Sequence, residues 1–571
     1  MSRAPMPTST TVLIVGGGPI GLIASILLTQ QGIDNVVVEL REHVQPAPAA
    51  HVVNARTFEI MRAGGIDMAK IDAACRPPAD GWVRWVTSLA GDEIGHVSFE
   101  GQHRIEALLD VTPTPLRNLS QHKLEPILRD HTPALRAGVE WVRATQSDVA
   151  VVSTVRDVVT GETTEITSSY LIAADGAGSP VRRWLGIAMD GPQRLQAFVA
   201  IHVEANLRQL VGDRPATLYW IIDPDIGGTY IAHDIDGTWV YMHQWDPDVE
   251  QLDDYTVERC AALFRRGVGA NIESMSVRSI TPWNMSCQVA ASYRSDRAFL
   301  IGDAAHRFPP TGGLGLNTGA VDAQNLVWKI AAVEHGWAES RILDTYESER
   351  RPIAEINAQQ SLSNAVKLFD VPVALGIDAD PDVTRTNYIT AVSTADGRAR
   401  VHAAIEGQAE HFDMLGLQLG FVYSANGDLV VDDGTTLAEP ADAVRDYRPT
   451  THPGARLPHT WIDRAGERIS TLDLVPLDHF VLLTSSKDWA AAGERLVDAR
   501  VPLHVVLFGR DAVDVDGAWG RVSELDGAGA ILVRPDQHVG WRSASLTADP
   551  VADLRSALST LAGASILGTR S

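Results

Sequence analysis

Three glycines and a carboxylate carry the first chemistry legible in this chain. Gly16, Gly18 and Gly21, with Pro19 and Ile20 among them, form G-x-G-x-x-G, and Glu39 follows about twenty residues on. Glycine lets the main chain approach a diphosphate whose charge rests on the N–H groups of a helix N-terminus, and a carboxylate at that spacing accepts ribose hydroxyls. The pattern therefore points to a bound dinucleotide rather than to an ordinary glycine turn. Two further runs set polar residues beside glycine. One is Asp175-Gly176 with Ser179, Val181 and Arg182; the other is Gly302-Asp303-Ala304-Ala305-His306, followed by Pro309-Pro310 and Gly312-Gly313-Leu314-Gly315-Leu316-Asn317. Taken singly, each of these two also suits a turn at the end of a strand.

The elements around these runs would hold them at strand ends. Thr11 to Val15 reads as a buried strand, Pro19 to Gln31 as a helix and Val36 to Leu40 as a second strand, a βαβ opening. A helix is expected over Ala55 to Arg62, stopped by Gly64-Gly65. From Val149 to Ala174 the β-branched runs are divided by a hairpin turn at Thr160-Gly161-Glu162, ahead of a strand at Tyr170 to Ala174. Strand character returns at Ala298 to Ile301, with a helix over Val321 to Glu334. In between, short aromatic-rich strands such as Leu218 to Ile222 and Trp239 to Trp245, with turns at Gly227-Gly228 and Asp236-Gly237, predict an antiparallel sheet. The expected fold class is α/β. A Rossmann-like domain is formed by residues 11–191 and 283–365 after a flexible lead at 1–10, with a β-sheet domain inserted at 192–282. A helical connection at 366–407 then leads to a C-terminal strand-and-helix domain at 408–571.

Composition narrows the function classes. With 48 basic against 72 acidic residues the formal charge is −24, which opposes binding to nucleic acid or to an anionic membrane. An anionic cofactor must then be held by local backbone dipoles and a few placed cations. Cys75, Cys260 and Cys287 are far apart and form no C-x-x-C pair, so neither a disulfide framework nor a thiolate metal site is expected, and a cytoplasmic location fits. The polar Met1 to Thr10 lacks a signal-peptide core, and Ile20 to Leu28 is too short to cross a bilayer.

All three runs, in their order, are those of the class A flavoprotein monooxygenases, the family of para-hydroxybenzoate hydroxylase and phenol hydroxylase, which the chain resembles over essentially its whole length. The resemblance implies FAD as cofactor, NADH or NADPH as transient co-substrate, and molecular oxygen. The implied reaction is hydroxylation of a small phenolic or electron-rich aromatic substrate through a flavin C4a-hydroperoxide. It implies that Asp175 and Arg182 serve the FAD pyrophosphate and nicotinamide, that Asp303 bonds the ribityl chain, and that Gln121 in Ser120-Gln121-His122-Lys123-Leu124-Glu125 lies near the flavin. Pro310, Gly313, Gly315, Leu316 and Asn317 would face the isoalloxazine, where helix N–H groups meet the negative charge that collects on reduction. No second G-x-G-x-x-G is present, so the choice between NADH and NADPH stays open. Relatives often carry a basic residue before the second helix; here Pro48-Ala49-Ala50 stands instead, with Arg41 or Arg56 as replacements, or FAD is held less tightly.

At position 51 phenol hydroxylase carries an aspartate, whereas His51 resembles the hydroxybiphenyl and chlorophenol hydroxylases. A phenol reacts better when ionised, and histidine is a base suited to neutral pH; the other reading is that His51 caps a helix or packs under the adenine. Asp225, Tyr230 and His243 are candidate substrate contacts in the inserted sheet, although aromatics there are more often core. The C-terminal part is similar to the thioredoxin-like domain of the phenol hydroxylase branch; it has no cysteine, which leaves structural support or subunit contact. A homodimer would be usual for the resemblance. Two other readings share the cofactor: an oxygenase tailoring a polycyclic polyketide by hydroxylation, epoxidation or Baeyer–Villiger insertion, and a non-catalytic FAD-binding protein. A flavin dehydrogenase or halogenase is disfavoured, since no W-x-W-x-I-P run occurs.

Overall fold

The structure is a computed structural model and describes residues 6–77, 80–99, 105–223, 226–425, 427, 429–497 and 500–563. Its first sheet is built on parallel strands in the order Ala298–Leu300, Thr163–Ala173, Ser9–Val15, Asn35–Glu39 and Leu135–Ala137. Their Val, Ile and Leu side chains are buried, as expected where helices cover both faces. The two β-branched runs after Val149 meet in a hairpin, but the second is one continuous strand, Thr163–Ala173. Its first half pairs antiparallel with Val151–Asp157 and its second half parallel with Ser9–Val15. The helix Pro19–Gln30 crosses between the first two strands, and the helix expected to start at Val321 begins seven residues earlier, at Leu314, and runs to Glu334.

The second sheet has seven strands in the order Met275–Met285, Gln196–Ala205, Thr238–Trp245, Ile226–Asp234, Leu218–Asp223, Trp82–Val86 and Glu93–Ser98. Its last two strands come from a stretch assigned above to the first domain. Trp82–Val86 lies parallel to Leu218–Asp223, which hides it from a search for consecutive hairpins. Gly227 and Gly228 are not a turn but strand residues, Gly228 with φ +128° where a Cβ would strike the Tyr241 ring. One face of this sheet packs Tyr219, Tyr230, Trp239 and Tyr241 on the helix Val257–Val268. At the far edge Val83 and Trp85 pack on the helices Asp370–Leu375, Pro381–Ser393 and Ala395–Glu406, the expected helical connection.

The C-terminal sheet orders Leu503–Leu507, Phe480–Thr484, Ala530–Val533 and Val539–Ser543, the first pair parallel and the others antiparallel. With helices Lys487–Glu494 and Pro550–Leu561 this is the βαβ–ββα order of a thioredoxin-like core. Among the described residues of this domain strands begin only at Trp461; those of 420–425 and 429–460 are irregular rather than an alternation starting near Phe412. Trp328, Ala332, Trp337 and Ile342 complete this core, so the C-terminal domain shares its interior with the helix Leu314–Glu334.

Candidate active site

Strand order turns the separated sequence runs into one row. Gly302 and Asp303, Asp175, Gly16 and Glu39 stand at the carboxyl ends of four adjacent parallel strands, where open α/β sheets bind ligands. At about 4.8 Å per strand the row is about 14 Å long, an extended dinucleotide's scale. Gly16 has φ +107°, and a Cβ there would collide with the Ala174 carbonyl; a Cβ on Gly21 would collide with the Gly16 carbonyl. A Cβ on Gly18 meets nothing, so packing does not require that glycine, whereas close approach of a ligand to the helix end does. No side chain caps the helix at Gly18. Glu39 accepts the amide of Gly17 at 2.7 Å and that of Arg41 at 2.9 Å, which holds its carboxylate at the strand end.

Asp303 is open to solvent yet enclosed enough that burial raises its pKa, against the opposing pull of His306 and Arg307. Its carboxylate has no hydrogen-bond partner among the described residues. Asp175 accepts the Val181 amide at 3.0 Å, its Oδ1 is buried without a partner, and burial raises its pKa too. Arg182 is buried and donates to Ala304 O at 2.8 Å and Ala177 O at 3.0 Å, so its guanidinium ties the second run to the third.

Gly313 has φ +63° and opens the helix Leu314–Glu334 without a side-chain cap, which leaves first-turn amides of Gly315, Leu316 and Asn317 to face a ligand. A Cβ on Gly313 would lie 2.9 Å from Cβ of Val52, so the loop abuts the residue after His51. Asn317 spends its side chain on the protein. Its Oδ1 accepts Asn54 N at 2.9 Å and Thr57 Oγ1 at 2.8 Å, and its Nδ2 donates to Val52 O and Gly313 O. Pro310 is exposed and its carbonyl accepts the Gly313 amide at 3.0 Å, closing the turn. Gln121 is half-buried; its amide reaches Ala50 O at 2.7 Å and its Nε2 donates to Glu125.

His51 precedes the short strand Val52–Val53, which pairs with Arg117–Asn118. It caps no helix, because Asn54 is the N-cap of Ala55–Ala63. Burial, then the charge of Arg76, lowers its pKa to about 4 against the opposing effect of the Asn118 side chain, which favours the protonated ring, and its Nδ1 has no partner. Its ring meets His233 edge to face at 5.2 Å, and His122 lies 6.2 Å beyond. His233 sits at a β-bulge between Ala232 and Asp234, and its Nδ1 is 2.7 Å from Ser120 Oγ, which forgoes capping its own helix for this contact. Burial first, then His51, drives the His233 pKa well below the usual value; burial also lowers those of His122 and His202. Three of these groups, His202, His233 and Arg76, were not singled out from sequence. His202 and His233 read as ordinary strand residues; the bulge brings His233 against His51, and His202 lies within electrostatic reach of His122 and His233.

The proposed substrate contacts are placed differently. Tyr230 is fully buried on the sheet face covered by the helix Val257–Val268, its hydroxyl on Phe264 O at 2.5 Å and its ring stacked on Tyr241 at 4.6 Å. His243 shares that face, against Tyr241 and Tyr255. Both therefore lie on the opposite side of the sheet from His233; alternation along the strands reverses the expected facing. Asp225 lies outside the described residues. Arg56 cannot replace the cation missing at Ala49: it is fully buried and donates to Glu59, Gln324, Gln537 and the Asp536 carbonyl. Arg41 is exposed. No group of metal-ligating side chains and no helix long and apolar enough to cross a membrane occurs among the described residues.

Comparison with known proteins agrees with this geometry. Residues 9–361 match the family model of an FAD binding domain, and residues 450–565 that of the aromatic-ring hydroxylase C-terminal domain. The 2,4-dichlorophenol 6-monooxygenase of Delftia acidovorans is 32% identical over 98% of this chain and 99% of its own. The tetracenomycin A2 monooxygenase-dioxygenase of Streptomyces glaucescens is 33% identical over 96% of both. The crystal structure of the flavin-dependent monooxygenase PieE with FAD and substrate superposes with TM-score 0.90 at 32% identity, covering 97% of this chain and 99% of that one. The chain belongs to the FAD-dependent aromatic-ring monooxygenases, which use a pyridine nucleotide and molecular oxygen.

Proposed function

We propose that the protein hydroxylates a phenolic ring and that His51 accepts the phenolic proton. The observation that carries this reading is the unpartnered Nδ1 of a neutral His51 next to the Gly313 loop. Glu39, the Gly16–Gly21 turn, Asp175 and Asp303 would hold FAD along the row, and the first turn from Gly313 to Asn317 would meet its ring. When bound and reduced, FAD activates oxygen and supplies the transferred atom. A phenol near its ordinary pKa of about 10 does not give its proton fully to an imidazole of low pKa in the resting complex. The Arg76 charge that opposes an imidazolium equally favours a phenolate, so His51 holds the proton in a hydrogen bond and draws it off as the ring becomes electron-poor. His233, kept neutral and fixed by Ser120, walls the other side of His51 without a competing positive charge.

His51→Ala tests this. Turnover of a phenol should fall by about 10²- to 10⁴-fold with FAD content unchanged. Wild-type turnover across the neutral pH range would remove His51 from the chemistry.

A second reading, oxygenation of a polycyclic polyketide, is supported by similarity to the tetracenomycin enzyme and to aklavinone-11 hydroxylase, whose complex with FAD and aklavinone superposes with TM-score 0.81. Substrate-stimulated NADH and NADPH oxidation, measured with simple phenols and with anthraquinone-like compounds and scored by product formed, separates the two.

A further inference from the structure

A protein with formal charge −24 repels a dinucleotide at long range, so some local cation must meet its diphosphate. Arg56 is locked under the C-terminal domain, and Arg182 is consumed by two backbone carbonyls. Arg41 stands beyond Glu39, at the opposite end of the row from Asp303.

Arg307 is differently placed. It follows His306 in a two-residue strand that pairs with Gln288–Ala290. Alternation sends His306 inward, to Asp322 Oδ2 at 2.8 Å, and turns Arg307 to the other face. There the guanidinium is half-buried and makes no hydrogen bond or ion pair with any described residue; its Nε is buried and unpartnered. It closes the turn that begins at Asp303 and whose Ala304 carbonyl accepts Arg182 at 2.8 Å, and it shares the electrostatic surroundings of both groups. The same turn touches the first helix: a Cβ on Gly302 would lie 3.3 Å from the Ile20 side chain, two residues from the open helix end at Gly18. A desolvated arginine left with idle donors is costly unless an anion meets it.

We propose that Arg307 is the diphosphate-binding cation of this cleft, donating to a phosphate of a dinucleotide, either resident FAD or the nicotinamide dinucleotide that reduces it. It takes over the charge that is absent at Ala49. The proposal rests on the family's cofactors and not on the identity of the aromatic substrate.

The test uses Arg307→Gln and Arg307→Lys in the full chain. FAD release is followed by flavin fluorescence on dilution of the holoenzyme, and binding of NADH, NADPH and reduced nicotinamide mononucleotide, which lacks the diphosphate, by anaerobic flavin reduction. Arg307→Gln should weaken one of the dinucleotides by about tenfold to a hundredfold, with partial recovery in Arg307→Lys. A rise in the FAD dissociation constant identifies the resident cofactor. A rise for NADH or NADPH that is absent for the mononucleotide identifies the incoming one. If both variants bind every dinucleotide within twofold of wild type, or if the mononucleotide suffers as much as NADH while FAD is unaffected, Arg307 only shields Asp303 and the proposal fails. A colourless Arg307→Gln protein that melts like the wild-type apoprotein supports the FAD arm; if it does not fold, Arg307→Lys decides by the same two readouts.

Discussion

Arg534 offers the sharpest test of how the C-terminal domain supports the flavin site. It is fully buried and all five of its N–H donors are used. Two go to Glu349, at 2.6 and 2.8 Å, two to Asp536, at 3.0 and 2.6 Å, and one to Leu429 O at 3.1 Å. Lys329 also binds Glu349, at 2.7 Å, so the cluster holds two carboxylates and two cations. Arg534→Met keeps the volume and removes one cation, leaving an uncompensated buried negative charge. Breaking a buried pair in this way costs about 3–5 kcal/mol. Asn325 and Trp328 retain weak bonds to Asp536, at 3.3 and 3.2 Å, which argues for the lower end.

Those two residues lie on the helix Leu314–Glu334, so the loss should reach its first turn and release FAD at lower denaturant. Urea unfolding of the holoenzyme, followed by tryptophan and flavin fluorescence, measures both. The pH dependence has a definite sign. Arg534 holds both carboxylates below their usual range, chiefly by its charge against the opposing effect of burial, so the stability they contribute is present at neutral pH and lost in acid. Without Arg534 one of them takes up a proton more readily, and the variant's deficit should shrink as pH is lowered from 8 toward 5.5. A deficit below about 1 kcal/mol, or one that grows in acid, would refute the reasoning. Adding Glu349→Gln should return part of the loss, as a double-mutant cycle would show.

Other outcomes follow from single features. Gly21→Ala should give colourless protein, because its Cβ would collide with the Gly16 carbonyl and open the turn; a yellow, FAD-saturated variant contradicts that. Asn317→Ala orphans the Asn54 amide and the Val52 and Gly313 carbonyls, at about 1–3 kcal/mol per buried group left unpaired, and should uncouple NAD(P)H oxidation from hydroxylation while FAD remains bound. Since His51 protonates only near pH 4 in the free enzyme, kcat/KM for a phenol should show no acid limb from this group between pH 5 and 7; an inflection near 6.5 that vanishes in His51→Ala would contradict the desolvation.

Much of the cofactor side was legible from residue types. The Gly16 to Gly21 turn, Glu39 and the two later runs announce themselves because a close main-chain approach tolerates few side chains, and each follows a recognisable β-branched strand. The substrate side was not. Tyr230 and His243 stood out as aromatic and polar residues of the expected sheet, yet they face the helix Val257–Val268, while His233 reaches His51 through a one-residue bulge that no local pattern marks. Asn317 was expected to serve the ring through the amides of its turn, and the sequence did not show that its side chain also clamps the His51 segment.

By itself the amino-acid sequence determined that a dinucleotide could be held at strand ends and that the C-terminal domain has no thiol chemistry, because both depend on local backbone freedom and on which atoms are present. Tertiary structure alone decided that the Arg307 guanidinium keeps no partner among the described residues, which histidines gather around His51, and how the last domain packs on the helix Leu314–Glu334. Those outcomes turn on strand order, pleat and burial, which bring together side chains hundreds of positions apart, such as Arg56 and Gln537. The competition of each charge for its nearest partner is settled only after that assembly.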